Sequence, residues 1–217
     1  MVHEYVNNGS DIYRESFRII RSEANLDRFP TDVEGVVVRM IHAAADPAIA
    51  DDIAFTPAVV TAARKALGGG APILCDSSMT ATGIIRSRLP RDNETICYIK
   101  DPRLAEIAQA KNMTKTCAAV DLWAEEGKLD GAIVAIGNAP TALFRVLEVC
   151  EETDARPAAV VGIPVGFVGA AESKQALVDS KLALEYLTLL GRRGGSAIAV
   201  AAVNAIASTD ELTNSHR

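Results

Sequence analysis

One histidine lies in the foldable part of this 217-residue chain: His42, in Val38-Arg-Met-Ile-His42, whereas His3 and His216 fall in the termini. An imidazole titrates near neutral pH and can deliver a proton there. On a helix, Arg39 sits three residues back on the same face. That cation lowers the imidazole pKa and an anionic ligand raises it, which suits a proton donor whose substrate is negative. The bland alternative is a packed histidine in an apolar helix. Other chemistries lack their patterns. There is no Gly-x-Ser-x-Gly elbow, no Gly-x-Gly-x-x-Gly fingerprint and no P-loop. Cys75, Cys97, Cys117 and Cys150 form no Cys-x-x-Cys pair or zinc spacing and read as reduced thiols. The pairs Asp51-Asp52, Glu125-Glu126 and Glu151-Glu152 read as solvated helix ends or turns.

Further candidate chemistry lies in loops that follow short apolar runs. These are Cys75-Asp-Ser-Ser-Met-Thr80, Gly137-Asn-Ala-Pro140, Gly162 to Gly169 leading to Glu172-Ser-Lys174, and Gly191-Arg-Arg-Gly-Gly-Ser196. In α/β folds the strand carboxyl ends open into the crevice where ligands bind. Gly195-Ser196 at a helix start reads either as an anion-binding turn or as a Ser-capped turn.

The elements needed to position these groups alternate. Pro72–Cys75, Ala132–Ile136 and Ala159–Ile163 read as buried strands, and Thr95–Ile99 as a fourth that stops before Pro102. Between them, Pro102–Glu126, Thr141–Glu152 and Lys174–Leu190 carry helical spacing, with Gly194-Gly195 between two helices. Asp11–Asn25 is amphipathic, and Thr31-Asp-Val-Glu34 has the form of a capping box before a helix over Val36–Ala45. The expectation is one α/β domain over residues 1–208, a mainly parallel sheet flanked by helices with a helical N-terminal segment. The polar tail, 209–217, is expected to be disordered.

Composition supports this. Hydrophobic residues make up 49% of the chain and aromatics 5%, so Ala, Val, Ile and Leu must build the core. A net charge of -6 argues against a nucleic-acid partner while leaving room for a local cationic cluster. Met1–Ser10 lacks a signal-peptide core, and no apolar stretch reaches the roughly 18 residues of a membrane span. Ala197–Ala207 is apolar but short, and Asn204 interrupts it. A soluble cytoplasmic protein without a membrane partner is expected.

These same segments resemble the precorrin-8X methylmutase family. The resemblance rests on Ser16-Phe-Arg-Ile-Ile20, Val38-Arg-Met-Ile-His42, Ile73-Leu-Cys-Asp76, Gly137-Asn-Ala-Pro-Thr-Ala-Leu143, Gly162–Lys174 and Gly191–Ser196, in the family's order. It covers about residues 4 to 207. It implies an α/β homodimer with a cleft shared between subunits. It also implies an isomerase that moves a methyl group from carbon 11 to carbon 12 of a corrin precursor. The product is hydrogenobyrinic acid, on the route to vitamin B12, and neither cofactor nor metal takes part.

Through the resemblance, His42 is the catalytic acid, and Ser16 and Arg39 contact the substrate. A polycarboxylate substrate calls for cations and N–H donors around it. Lys115, Lys174 and Arg192 join Arg39 in that expected set, with Thr80 and Asn138 on the strand-end loops. Two departures stand out. Where the family often has His-Ala-Thr-Gly-Asp, this chain has Ala43-Ala-Ala-Asp46 after His42. Lys115 stands where relatives often carry Arg, and a lysine cannot make a bidentate fork. Two alternatives share the resemblance: the same reaction on the cobalt-loaded precursor of the oxygen-independent branch, and a non-catalytic corrinoid carrier. Gly137–Lys174 leans toward the oxygen-dependent branch.

Overall fold

The four buried strands foreseen above are joined by two more in one six-stranded sheet, ordered β1-β6-β5-β4-β2-β3. The strands are β1 Ile53–Phe55, β2 Ile73–Cys75, β3 Thr95–Ile96, β4 Ile133–Ile136, β5 Ala159–Gly162 and β6 Tyr186–Leu189. All neighbours run parallel except β1, which pairs antiparallel with β6 in the register Ile53↔Leu189. This structure, a computed structural model, describes residues 3–208 and residue 210. Apart from residue 210, the expected tail, His216 included, lies outside the described residues.

Ten helices surround the sheet among the described residues. They are α1 Gly9–Glu23, α2 Thr31–Ala44, α3 Ile49–Asp52, α4 Val59–Gly68, α5 Ser78–Gly83, α6 Arg103–Ala110, α7 Lys115–Glu125, α8 Pro140–Glu152, α9 Ala170–Asp179 and α10 Ser196–Ala207. Successive strand residues point to opposite faces. Ile73, Cys75, Ile133 and Ala135 therefore meet Val33, Val37 and Ile41 of α2, Val60 of α4 and Ala199 and Val203 of α10. Leu74, Val134, Ile136 and Val160 meet Trp123, Leu143, Val146 and Leu177 on the other side. With both faces covered, the strands are apolar throughout rather than alternating.

Small residues let α10 lie close to both the sheet and α2. A Cβ on Gly137, just past β4, would stand 2.7 Å from the Ser196 Cα and 2.7 Å from the Thr80 Oγ1. Only glycine permits that approach.

Four expectations need correction. The capping box does not form. Pro30 occupies the N-cap position, and its carbonyl receives the Val33 and Glu34 N–H groups. The Glu34 carboxylate instead takes the Arg21 guanidinium at 2.8 Å. The helix expected over Lys174–Leu190 ends at Asp179, and Tyr186–Leu189 is strand. Leu184 precedes that strand and Leu187 lies within it. Gly194-Gly195 consequently joins a strand to a helix. Pro102–Glu126 is two helices, broken where Asn112 takes φ 49°. Asparagine is among the few residues that tolerate this left-handed turn.

Candidate active site

α1 and α2 form a helical hairpin beside α10, held by Phe17 and Ile20 on the buried face of α1. Ser16 is one residue off that buried stripe and faces α2, where its Oγ lies 2.9 Å from the His42 Nδ1. Tyr13 and Phe17, three residues before and one after Ser16, flank the imidazole with centroids at 5.1 Å and 5.4 Å. The Arg39 guanidinium stands 5.3 Å from the Phe17 ring centre and 5.8 Å from that of Tyr13. His42 and Arg39 thus share one helix face, as their spacing requires.

His42 is half-buried. Burial chiefly, and then the Arg39 charge, push its pKa below 6.5. The Ser16 contact fixes one ring nitrogen and leaves Nε2 as the nitrogen that can serve a ligand. The ring borders two cavities. An outer one of about 540 Å³ is lined by Val6, Ile12, Glu15, Ser16, Ile19, Ile41 and Pro47. An inner one of about 110 Å³ is lined by Tyr13, Arg39, Ile85, Arg88, Ala201 and Asn204.

The loops at the sheet's carboxyl edge are built differently. Asp76, directly after β2, is buried and accepts the backbone N–H of Gly137 at 3.0 Å, Asn138 at 2.9 Å and Ala139 at 2.6 Å. Burial pushes its carboxyl pKa up while those three donors pull it down. Ser77, Thr80 and Ser196 form a ring of hydroxyls beside it, with Oγ contacts of 2.9, 3.0 and 3.2 Å.

The expected site residues therefore divide. Ser16, Arg39 and His42 come together. Asn138, Lys115 and Arg192 are exposed on separate loops or helix starts, and the Arg192 guanidinium lies 5.5 Å from the Phe167 ring centre. Thr80 and Lys174 are fully buried, so neither presents a polar atom to a ligand from solvent. The Lys174 Nζ donates to the Arg193 carbonyl at 2.6 Å, and burial lowers its pKa to about 8. Thr80 is likewise spent on Ser77, Ser196 and Asp76. Both act on the loops around them. Neither cavity beside His42 is lined by Thr80, Lys115, Asn138, Lys174 or Arg192.

Sequence reasoning missed Tyr13, Arg88 and Asn204. Asn204 had a signal: a lone amide in an apolar helix needs partners, and it finds the Ile85 N–H and the Gly83 carbonyl. Among the described residues no cluster of three or more His, Cys, Asp or Glu is arranged to hold a metal ion. No helix there is long and apolar enough to cross a membrane.

Comparison with known proteins identifies the family. The family model described as precorrin-8X methylmutase matches residues 11–209. The chain belongs to that family. A precorrin-8X methylmutase of Sinorhizobium sp is 47% identical over 205 residues, covering 94% of this chain and 97% of the relative. A cobalt-precorrin-8 methylmutase of Salmonella typhimurium is 40% identical over 209 residues, covering 93% and 96%. The crystal structure of a Thermus thermophilus precorrin-8X methylmutase superposes with a TM-score of 0.82 at 42% identity, covering 92% of this chain and 95% of that one. The methylmutases are isomerases of cobalamin biosynthesis, and this chain is one of them. The family model's match takes in α2, α10 and all of α1 but its first two residues.

Proposed function

We propose that the protein moves a methyl group from C-11 to C-12 of precorrin-8X, giving hydrogenobyrinic acid, with His42 as the acid. The observation that carries the mechanism is the imidazole held through Nδ1 by Ser16 while it borders both cavities. The migrating methyl travels with its bonding pair, so the reaction conserves atoms and electrons. The residues' task is to hold the macrocycle and lend a proton to a ring nitrogen, which draws density across the conjugated system. His42 gives that proton from Nε2 and recovers one when the product's ring nitrogen is released. General acids contribute about 10²- to 10⁴-fold.

The protein's own groups bias His42 toward its neutral form, because burial and Arg39 both oppose its charge. A polycarboxylate brings negative charge and raises the imidazole pKa again. The acid is charged when substrate is bound. Arg39 and Ser16 contact the substrate directly, and exposed Asn138, Lys115 and Arg192 serve its outer carboxylates.

The test is single-turnover absorbance with metal-free and cobalt-loaded substrate, read separately from binding. Faster turnover of the metal-free form supports this reading. Faster turnover of the cobalt form supports the reading suggested by the Salmonella relative's name. Tight binding with no turnover of either makes the protein a carrier. We further propose a cytoplasmic homodimer. Tyr5, Val6, Ile12 and Ile19 expose apolar surface on and before α1, and the four cysteines are free, as suits a reducing compartment. Light scattering should give twice 22.9 kDa. A monomer that turns over substrate would refute a shared site.

A further inference from the structure

Arg193 is a charged residue to which the proposed methyl shift gives no task. It lies on the loop between β6 and α10, and its backbone is held from several sides. The Lys174 Nζ donates to its carbonyl at 2.6 Å. The Gly166 N–H donates to the Arg192 carbonyl at 3.2 Å, and the Gly195 N–H to the Ile163 carbonyl at 2.9 Å. A Cβ on Gly194 would stand 2.7 Å from that same Ile163 carbonyl, so glycine lets the loop seat against the end of β5. From this fixed base the guanidinium reaches two carboxylates far back in the chain, those of Asp46 and Asp52. Asp52 ends α3 beside β1, and its carbonyl receives the Leu190 N–H at 2.8 Å. Arg193 thus bridges the sheet edge and the segment that follows the His42 helix.

Asp46 stands on a strained turn. α2 ends at Ala44, and Ala45 takes φ 51° and ψ 34°. Alanine resists this left-handed conformation, which brings its Cβ against the following carbonyl oxygen. A strained residue persists where its surroundings hold it. The next residue supplies that hold: the Asp46 Oδ1 accepts the Ala48 N–H at 3.0 Å, and its Oδ2 takes the Arg193 guanidinium. His42 lies about one helical turn before Asp46. Ala45 and Pro47, on either side of Asp46, line the outer cavity with His42. Exposed ion pairs add little to global stability, yet a small bias suffices to choose between two settings of one turn.

We propose that Arg193 is a positioning residue: by holding Asp46 it keeps the Ala45 turn left-handed and so fixes His42 relative to the strand-end loops. This rests on the methylmutase reading, in which one macrocycle must meet both the acid on α2 and the cations of those loops. Arg193 acts through Asp46 and needs no contact with the substrate.

The experiment compares the wild type with Arg193→Met, with Asp46→Asn, with both together, and with Arg193→Met carrying Ala45→Gly. One readout is the single-turnover rate at saturating precorrin-8X, beside the affinity for hydrogenobyrinic acid. The other is the imidazole C–H proton resonances of His42, which the Tyr13 and Phe17 rings displace from 5.1 Å and 5.4 Å. Arg193→Met should slow the rate by about 10- to 100-fold, as a misplaced group does, while affinity stays within about threefold. The His42 resonances should shift with it. Glycine adopts the left-handed turn without help, so Ala45→Gly should return most of the rate and the resonances to Arg193→Met. Asp46→Asn turns an amide toward the guanidinium and should match Arg193→Met. The combined variant should be no slower than either, because both break one link. A merely structural role would lower the melting temperature and show no recovery with glycine. If Arg193→Met does not fold, Asp46→Asn with and without Ala45→Gly carries the same test. An Arg193→Met rate within about twofold of wild type, or a loss that Ala45→Gly leaves in place, overturns the positioning role and leaves the methylmutase reading standing. A wild type that turns over neither metal-free nor cobalt-loaded substrate overturns the methylmutase reading instead. The His42 resonances then decide the link alone: a shift that Ala45→Gly reverses supports it, and unmoved resonances overturn it.

Discussion

His42 and Asp76 both sit near α10, and their polar atoms are treated in opposite ways. The Asp76 carboxylate is fully enclosed and takes three backbone N–H groups, with the Thr80 hydroxyl beside it. The His42 ring takes one hydroxyl contact, is wedged between two aromatic rings and borders two cavities. A saturated buried polar group holds structure together. An ionisable group with a displaced pKa and an open side is equipped for chemistry. In this fold the strand-end loops supply rigid framework, while the proposed acid, His42, stands on a helix packed on the sheet's flank. The rule that α/β sites lie at strand carboxyl ends finds the framework here, and the histidine proposed as the acid stands on α2.

That contrast can be broken by experiment. His42→Asn should cut single-turnover rate by about 10²- to 10⁴-fold while corrinoid affinity changes little. The same variant should alter stability at acid pH in a defined direction. The folded His42 pKa lies below 6.5, so the unfolded chain binds more protons in that range. Wild-type stability then drops as pH falls from 6.5 through the folded value, and His42→Asn lacks this component in urea titrations. Asp76→Asn should do the reverse. It places an amide donor against backbone N–H donors and should cost about 1–3 kcal/mol of stability. A melting midpoint lowered by about 2–4 °C per kcal/mol would report it. An unaltered midpoint would mean that Asp76 is no framework residue.

Lys174 sharpens the framework side. Its folded pKa of about 8 lies below the ordinary 10.5, so between these values the unfolded chain holds the extra proton. Stability from this group therefore rises with pH across that window and is lowest below it. Urea unfolding at several pH values should show wild type gaining on Lys174→Met as pH rises from 8 toward 10. A constant difference would remove the buried ammonium as the cause. Ser16→Ala gives the smallest effect. Losing one neutral hydrogen bond costs about 0.5–1.5 kcal/mol, so the rate should drop about two- to tenfold. A loss as large as that of His42→Asn would make Ser16 part of the proton path rather than a support.

The sequence showed β2, β4 and β5 clearly, because fully buried strands bounded by Gly and Pro have no other good reading. It hid β6, because the three-residue spacing of Leu184 and Leu187 suits a helix as well as a turn into a strand. It hid β1 because three residues show no period at all. Within the site, His42 was legible as the lone interior histidine, and Arg39 followed by helix geometry. Arg88 was not. Nothing in the sequence distinguishes it from Arg86 and Arg91, and only tertiary packing against α10 selects the middle one for burial. Lys174 erred in the other direction: its motif marks an important position, yet the ammonium is turned inward to a carbonyl.

The pairing of Ile53 with Leu189 joins positions 136 residues apart in the chain, 189 less 53. On a ribosome adding about 5–20 residues per second, the first strand waits on the order of ten seconds for its partner. The hairpin bearing His42 waits longer still, since Ala201 and Asn204 complete the inner cavity from the last helix. A nascent chain released before residue 196 would hold His42 and lack one wall of the inner cavity beside it. Activity should therefore appear only with chains that reach the end of α10, however much of the sheet has already formed.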